Sequence, residues 1–115
     1  MQFKFEELRV YQEALTFIHQ VFVLTKTWPI QYRYSLSDQL QRAALSIALN
    51  IAEGSSRTKR DFQHFLSVAR GSCYECVAIL TITQKLGIIT ERRYQETYQK
   101  LLYLSKMLSA LKSSI

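Results

Sequence analysis

Gln39-Leu40-Gln41-Arg42-Ala43-Ala44-Leu45-Ser46-Ile47-Ala48-Leu49-Asn50-Ile51-Ala52-Glu53-Gly54 is the stretch that decides the fold. Leu40, Ala43, Ala44, Ile47 and Ile51 recur at spacings of three and four, which puts them on one face of an α-helix. Leu36 extends this stripe. Ser35 is the predicted N-cap, with Asp38 three residues on in a capping-box position. Gly54-Ser55-Ser56 is the predicted stop.

The same pattern repeats outward. Residues 6–26 read as a first helix, with Leu8, Tyr11, Leu15, Ile18 and Phe22 as its stripe. Trp28-Pro29 ends it, because a residue before proline avoids the α region. Gln2–Phe5 reads as an ordered extension, since Phe3 and Phe5 are poor residues to leave in water. Thr58 caps a third helix with Asp61 at the matching position. Its stripe is Phe62, Phe65, Leu66, Ala69, Cys73, Cys76, Val77 and Leu80, and Gly87 closes it. Thr90 caps a fourth, with Glu91 well placed against the helix dipole and Tyr94, Tyr98, Leu101, Leu104, Leu108 and Leu111 as its stripe.

Residues 1–115 therefore form a single domain, all-α, an up-and-down antiparallel four-helix bundle. Hydrophobic residues make up 48%, while 3 Gly and 1 Pro give few places to turn a sheet. No apolar run reaches the ~20 residues of a membrane span, and Met1–Glu7 lacks the apolar core of a signal peptide. A cytoplasmic protein without a membrane partner is expected.

Two helices carry more apolar surface than one bundle needs. Val10, Ala14, Phe17, Val21 and Leu24 make a second stripe on the first helix. Val68, Ile79, Ile82 and Leu86 do so on the third. A bundle core uses an arc of ~100° or somewhat more, so a subunit interface is expected.

Gln39, Arg42, Ser46, Asn50, Glu53 and Arg57 share one face of the second helix. Folding the third helix back brings Ser72 and Glu75 opposite Arg42, with Gly71 allowing close approach. An Arg42–Glu75 ion pair is predicted, within a structural network of Arg42, Ser46, Asn50, Glu53, Ser72 and Glu75 that fixes helix register.

Charge points to a polyanion. Lys and Arg number 15 against 9 Asp and Glu, a formal charge of +6. Arg57, Lys59 and Arg60 crowd the connection between helices two and three, with Lys4, Lys106 and Lys112 at the same end. Arg92 and Arg93 mark the other end, near Lys26, Arg33 and Lys85. Arg57, Lys59, Arg60, Arg92, Arg93 and Lys100 are the candidate nucleic-acid contacts.

Catalytic signatures are missing. Cys73-Tyr74-Glu75-Cys76 matches C-x-x-C but falls on an apolar helical stripe, so two core thiols are expected. His19 and His64 lack metal-ligand spacing. No phosphate-binding glycine loop, nucleophile elbow or Glu-x-x-His is present. No catalytic residue, metal or cofactor is expected, and no enzyme.

Phe5-Glu6-Glu7-Leu8-Arg9-Val10-Tyr11-Gln12-Glu13-Ala14 resembles the opening of the proteins encoded in 23S ribosomal RNA intervening sequences. So do Gln39–Ala44, Ser46-Ile47, Asn50-Ile51-Ala52-Glu53-Gly54, Phe65-Leu66, Ala69-Arg70-Gly71-Ser72 and Glu75. The departures are Ser35 for a usual Gly, Ser55-Ser56 for an aromatic-Gly pair, and Val77 for a second Glu. The resemblance implies a four-helix bundle that assembles as a ring, commonly a homopentamer. That family is similar to the accessory proteins of diversity-generating retroelements, which implies RNA or DNA and a reverse transcriptase as partners. The expected function is a basic, ring-forming adaptor that binds nucleic acid through phosphate contacts. The alternative is an oligomeric protein-binding scaffold without such contact.

Overall fold

The computed structural model describes residues 3–115. Four helices carry the fold: α1 (Arg9–Thr25), α2 (Asp38–Ser55), α3 (Lys59–Lys85) and α4 (Glu91–Ser114). Cross-helix hydrogen bonds show the antiparallel order. Thr81 meets Tyr94, Arg70 meets Ser105, and Ser67 meets Lys112, so one number falls as the other rises. The bundle measures 43 × 24 × 19 Å. The α2–α3 seam is the most extensive, and α1 is the helix held least by its neighbours.

Thr58 and Thr90 cap α3 and α4 through the backbone amides of Asp61 and Arg93, as predicted. Gly87 closes α3 at φ +74°, a conformation glycine adopts without strain. The start of α2 differs from expectation. A 3-10 turn (Ile30–Tyr32) and a π-helical turn (Arg33–Ser37) lead into it, and the Ser35 hydroxyl donates backward to the Tyr32 carbonyl. The Asp38 carboxylate pairs with Arg42 instead of a capping amide. Gln2 lies outside the described residues. Phe5 packs edge-on against Tyr11, while Phe3 is exposed.

The core inverts the stripes expected for α1. Val10, Ala14, Phe17 and Val21 are buried, whereas Leu15 and Phe22 face outward. Both stripes are apolar, so hydropathy alone does not rank them; the small Ala14 suits the close helix contact. On α3, Ile79 joins the core, while Val68, Ile82 and Leu86 remain exposed. By length and hydropathy α3 passes as a membrane-spanning candidate. Its Leu66, Ala69, Cys73, Cys76 and Leu80 are nonetheless committed to the bundle core.

The helix α2 ends at Ser55, within the predicted Gly54–Ser56 stop, and glycine matters most at Gly54, which is buried in that last turn. A Cβ there would sit 2.5 Å from Phe65 Cβ and 2.9 Å from the Phe62 ring. Gly71 has open space around it, so the expected close approach belongs to Gly54. In a free helix alanine is better than glycine by ~1 kcal/mol. Here the clash is with an atom fixed to backbone, and overpacking costs about 1–3 kcal/mol.

Two further features hold the bundle. Cys73 and Cys76 are buried free thiols. Burial pushes the Cys73 thiol up to about 12, and Cys76 higher still. Lys100 Nζ donates to Glu13 Oε2 at 2.7 Å, tying α4 to α1 across the closing edge. That hydrogen bond, reinforced by the Lys100 charge, holds the Glu13 carboxyl below its ordinary value of 4.5.

Gly54→Ala is expected to lower the denaturant midpoint without changing the slope, a net loss of up to about 2 kcal/mol. Neither thiol is expected to react with a disulfide reagent at pH 8 in the folded protein, and both in denaturant; reaction of the native chain would contradict their burial. A carboxyl with a depressed folded pKa adds stability above its unfolded value and loses it as pH falls. Glu13→Gln should therefore flatten the decline in melting temperature below about pH 4.5.

Candidate nucleic-acid interface

The six candidate contacts fall in three places. Arg57, Lys59 and Arg60 surround the tight α2–α3 turn, all exposed. The Arg57 guanidinium lies 5.6 Å from the Phe65 ring centre and 3.6 Å from Glu53. Lys59 and Arg60 make no ion pair among the described residues. The C-terminal turn of α4 reaches this same end, where Gln63 donates to the carbonyls of Lys112 and Ile115.

Arg92 and Arg93 stand at the opposite end, roughly 30 Å from Lys112 at 1.5 Å per residue. Both share Glu96, at 3.3 and 3.7 Å. Lys100 lies between the ends with its side chain 19% exposed and its ammonium held by Glu13. The structure thus brings Arg57, Lys59 and Arg60 together, and separates them from Arg92, Arg93 and Lys100.

The polar stripe of α2 also divides. Ser72 Oγ donates to Ser46 Oγ at 2.9 Å, and Asn50 Nδ2 donates to Ser46 Oγ and its carbonyl. Of the six residues predicted to form an inter-helix network, only Ser46 and Ser72 bond across the seam, with Asn50 bracing Ser46 from within α2. The Arg42–Glu75 pair does not form. Arg42 Nε donates to Asp38 Oδ2 at 3.0 Å, one turn back on its own helix, and Glu75 is exposed. An i,i+4 partner is reached within one helix, whereas the α3 carboxylate lies across a seam that Ser46 and Ser72 already close. Glu53 pairs with Arg57.

A second basic feature escaped the charge count. Between α3 and α4 run two depressions. One, about 380 Å³, is lined by Gln63, Ser67, Arg70, Ser109 and Lys112. The other, about 230 Å³, is lined by Cys73, Tyr74, Val77, Tyr98 and Leu101. Arg70 stands between them: its Nε donates to Ser105 Oγ at 3.3 Å and its Nη2 to the Tyr74 hydroxyl at 3.0 Å. The sequence signal was there: no Asp or Glu lies between Asp61 and Glu75, nor after Glu96. Among the described residues no three His, Cys, Asp or Glu side chains gather as a metal site.

Comparison with known proteins agrees with this architecture. A crystal structure at 1.70 Å of a protein of unknown function from the S23 ribosomal protein family of Bacteroides thetaiotaomicron VPI-5482 superposes with a TM-score of 0.84. The two share 23% identity, over 90% of this chain and 95% of that one, a likeness of fold. No curated protein matches the chain. The family described as 23S rRNA-intervening sequence protein matches residues 6–110, nearly the whole bundle, and the chain belongs to that family.

Proposed function

We propose that this chain is a non-enzymatic, ring-forming adaptor that binds RNA or DNA through phosphate contacts. The observation that carries the reading is the α2–α3 turn. Lys59 and Arg60 project there without acidic partners, beside Arg57. Ammonium and guanidinium groups so placed attract phosphate and displace its counterions, with little regard to base sequence. The family description, which names an rRNA intervening sequence, supports RNA over other polyanions. Lys100 contributes less than its charge suggests, since Glu13 already holds it.

Assembly rests on a different observation. Leu49 is 64% exposed, and Leu45, Val68 and Ile82 are also exposed on α2 and α3. Leu15 and Phe22 extend the apolar surface along α1. Such a surface fits a subunit contact. A ring would repeat the basic turn around its axis and strengthen its field. The resemblance to pentameric accessory proteins supports five copies and a reverse transcriptase as partner. The same apolar residues favour the second reading, an oligomeric scaffold whose partner protein alone contacts nucleic acid.

Binding to an RNA oligomer is expected to weaken steeply between 50 and 200 mM salt. Replacing Arg57, Lys59 and Arg60 together with Gln should reduce the log–log slope by about 2–3. Full, salt-insensitive binding by that variant overturns the reading. Solution mass by light scattering should give a multiple of the 13.5 kDa chain. Leu49→Glu should return it to the monomer with its helical spectrum intact, and a monomeric parent would remove the ring.

A further inference from the structure

Resting on the nucleic-acid reading above, we infer that the α3–α4 groove is a single-stranded RNA track, with Arg70 and Lys112 on phosphates and Tyr74 and Tyr98 as stacking platforms. The groove follows α3 from Gln63 to Val77, about 21 Å at 1.5 Å per residue. That is room for a few nucleotides. It opens at the end where Lys59 and Arg60 project, so a strand held there can continue into it.

Charge complementarity argues for a polyanion. α4 carries no Asp or Glu after Glu96, and the one acid on α3 between Gln63 and Val77, Glu75, lines neither depression, while Arg70 and Lys112 reach into the groove. Neither cation is paired with a carboxylate. Lys112 Nζ donates to Ser67 Oγ at 2.8 Å, and Arg70 donates to neutral hydroxyls. These bonds orient both groups and leave their charge uncompensated.

The upper depression argues for bases. Tyr74 is 59% exposed, and the Arg70 guanidinium carbon lies 5.2 Å from its ring centre. The ring is thereby held by its hydroxyl and presents a face to solvent. Tyr98 lines the same depression across the groove. Its floor is Cys73, uncharged because burial raises its thiol. Cations at one level and aromatic rings at the next match how single strands are bound, phosphates in a basic groove and bases on π-faces. A duplex hides those faces and is too wide for a seam between two packed helices. Ser67 and Ser109 offer hydroxyls that both donate and accept, as does a ribose 2′-OH, which DNA lacks.

The test is equilibrium binding of the full chain to three probes of equal length: oligouridylate, oligothymidylate and a hairpin RNA duplex. Oligouridylate should bind most tightly. Tyr74→Ala should weaken it about fivefold or more, while Tyr74→Phe, which keeps the ring and loses only the hydroxyl's bond to Arg70, should weaken it less. Arg70→Gln and Lys112→Gln should each lower the single-strand salt slope by about 0.7. Unchanged melting curves confirm that each variant is folded. Equal binding of all three probes, with Tyr74→Ala and Arg70→Gln silent, overturns the groove and leaves the basic turn standing. Equal binding of the two single strands overturns the assignment to RNA. Failure of the parent chain to bind any probe at low salt overturns the broader reading itself.

Discussion

The fold depends on how closely α2 approaches α3 at Gly54. No side chain intervenes there, so Phe65 and Phe62 fill the space a Cβ would occupy. Further along, Ser72 donates across the seam to Ser46, whose hydroxyl also accepts from Asn50 one turn on along α2. Together these contacts fix both spacing and register along the seam. They also place the ring of Phe65 under Arg57 and make the following connection tight. The basic turn is therefore a product of core packing, because the cations project from a loop with no slack.

Most of this was legible from residues. Periodicity located all four helices, and Thr58 and Thr90 marked two starts through their side-chain oxygens. The failures have physical causes. The two stripes of α1 are similar in hydropathy, and only the partner helices select Val10, Ala14, Phe17 and Val21. Ser35 has the right chemistry for a cap, but the π turn from Arg33 to Ser37 carries its hydroxyl to the wrong carbonyl. Arg42 and Glu75 carry opposite charges at a plausible level, yet Asp38 is one turn away and requires no tertiary register. The Asn50–Ser46–Ser72 contact was legible because three polar residues stand amid apolar neighbours. The α3–α4 groove was not, because its signal is an absence of acids spread over two distant segments.

Charge in this molecule is organised by pairing more than by number. Glu13 holds Lys100, Asp38 holds Arg42, and Glu96 holds Arg92 and Arg93. These pairs sit on α1, α2 and the start of α4. Among the described residues, Lys59, Arg60, Arg70, Lys106 and Lys112 carry no ion pair toward the α2–α3 turn, where Glu53 holds Arg57, and Lys26, Arg33 and Lys85 carry none toward the opposite end.

The up-and-down order also shapes how the chain reaches this state. Each helix packs chiefly on the next, so most contacts join residues close in sequence. Such topologies fold on the order of microseconds to milliseconds, since little loop entropy opposes each step. The exception is the edge where α1 meets α4. There Glu13 and Lys100 are separated by 87 positions. As the helix held least by its neighbours, α1 is expected to open first in hydrogen exchange.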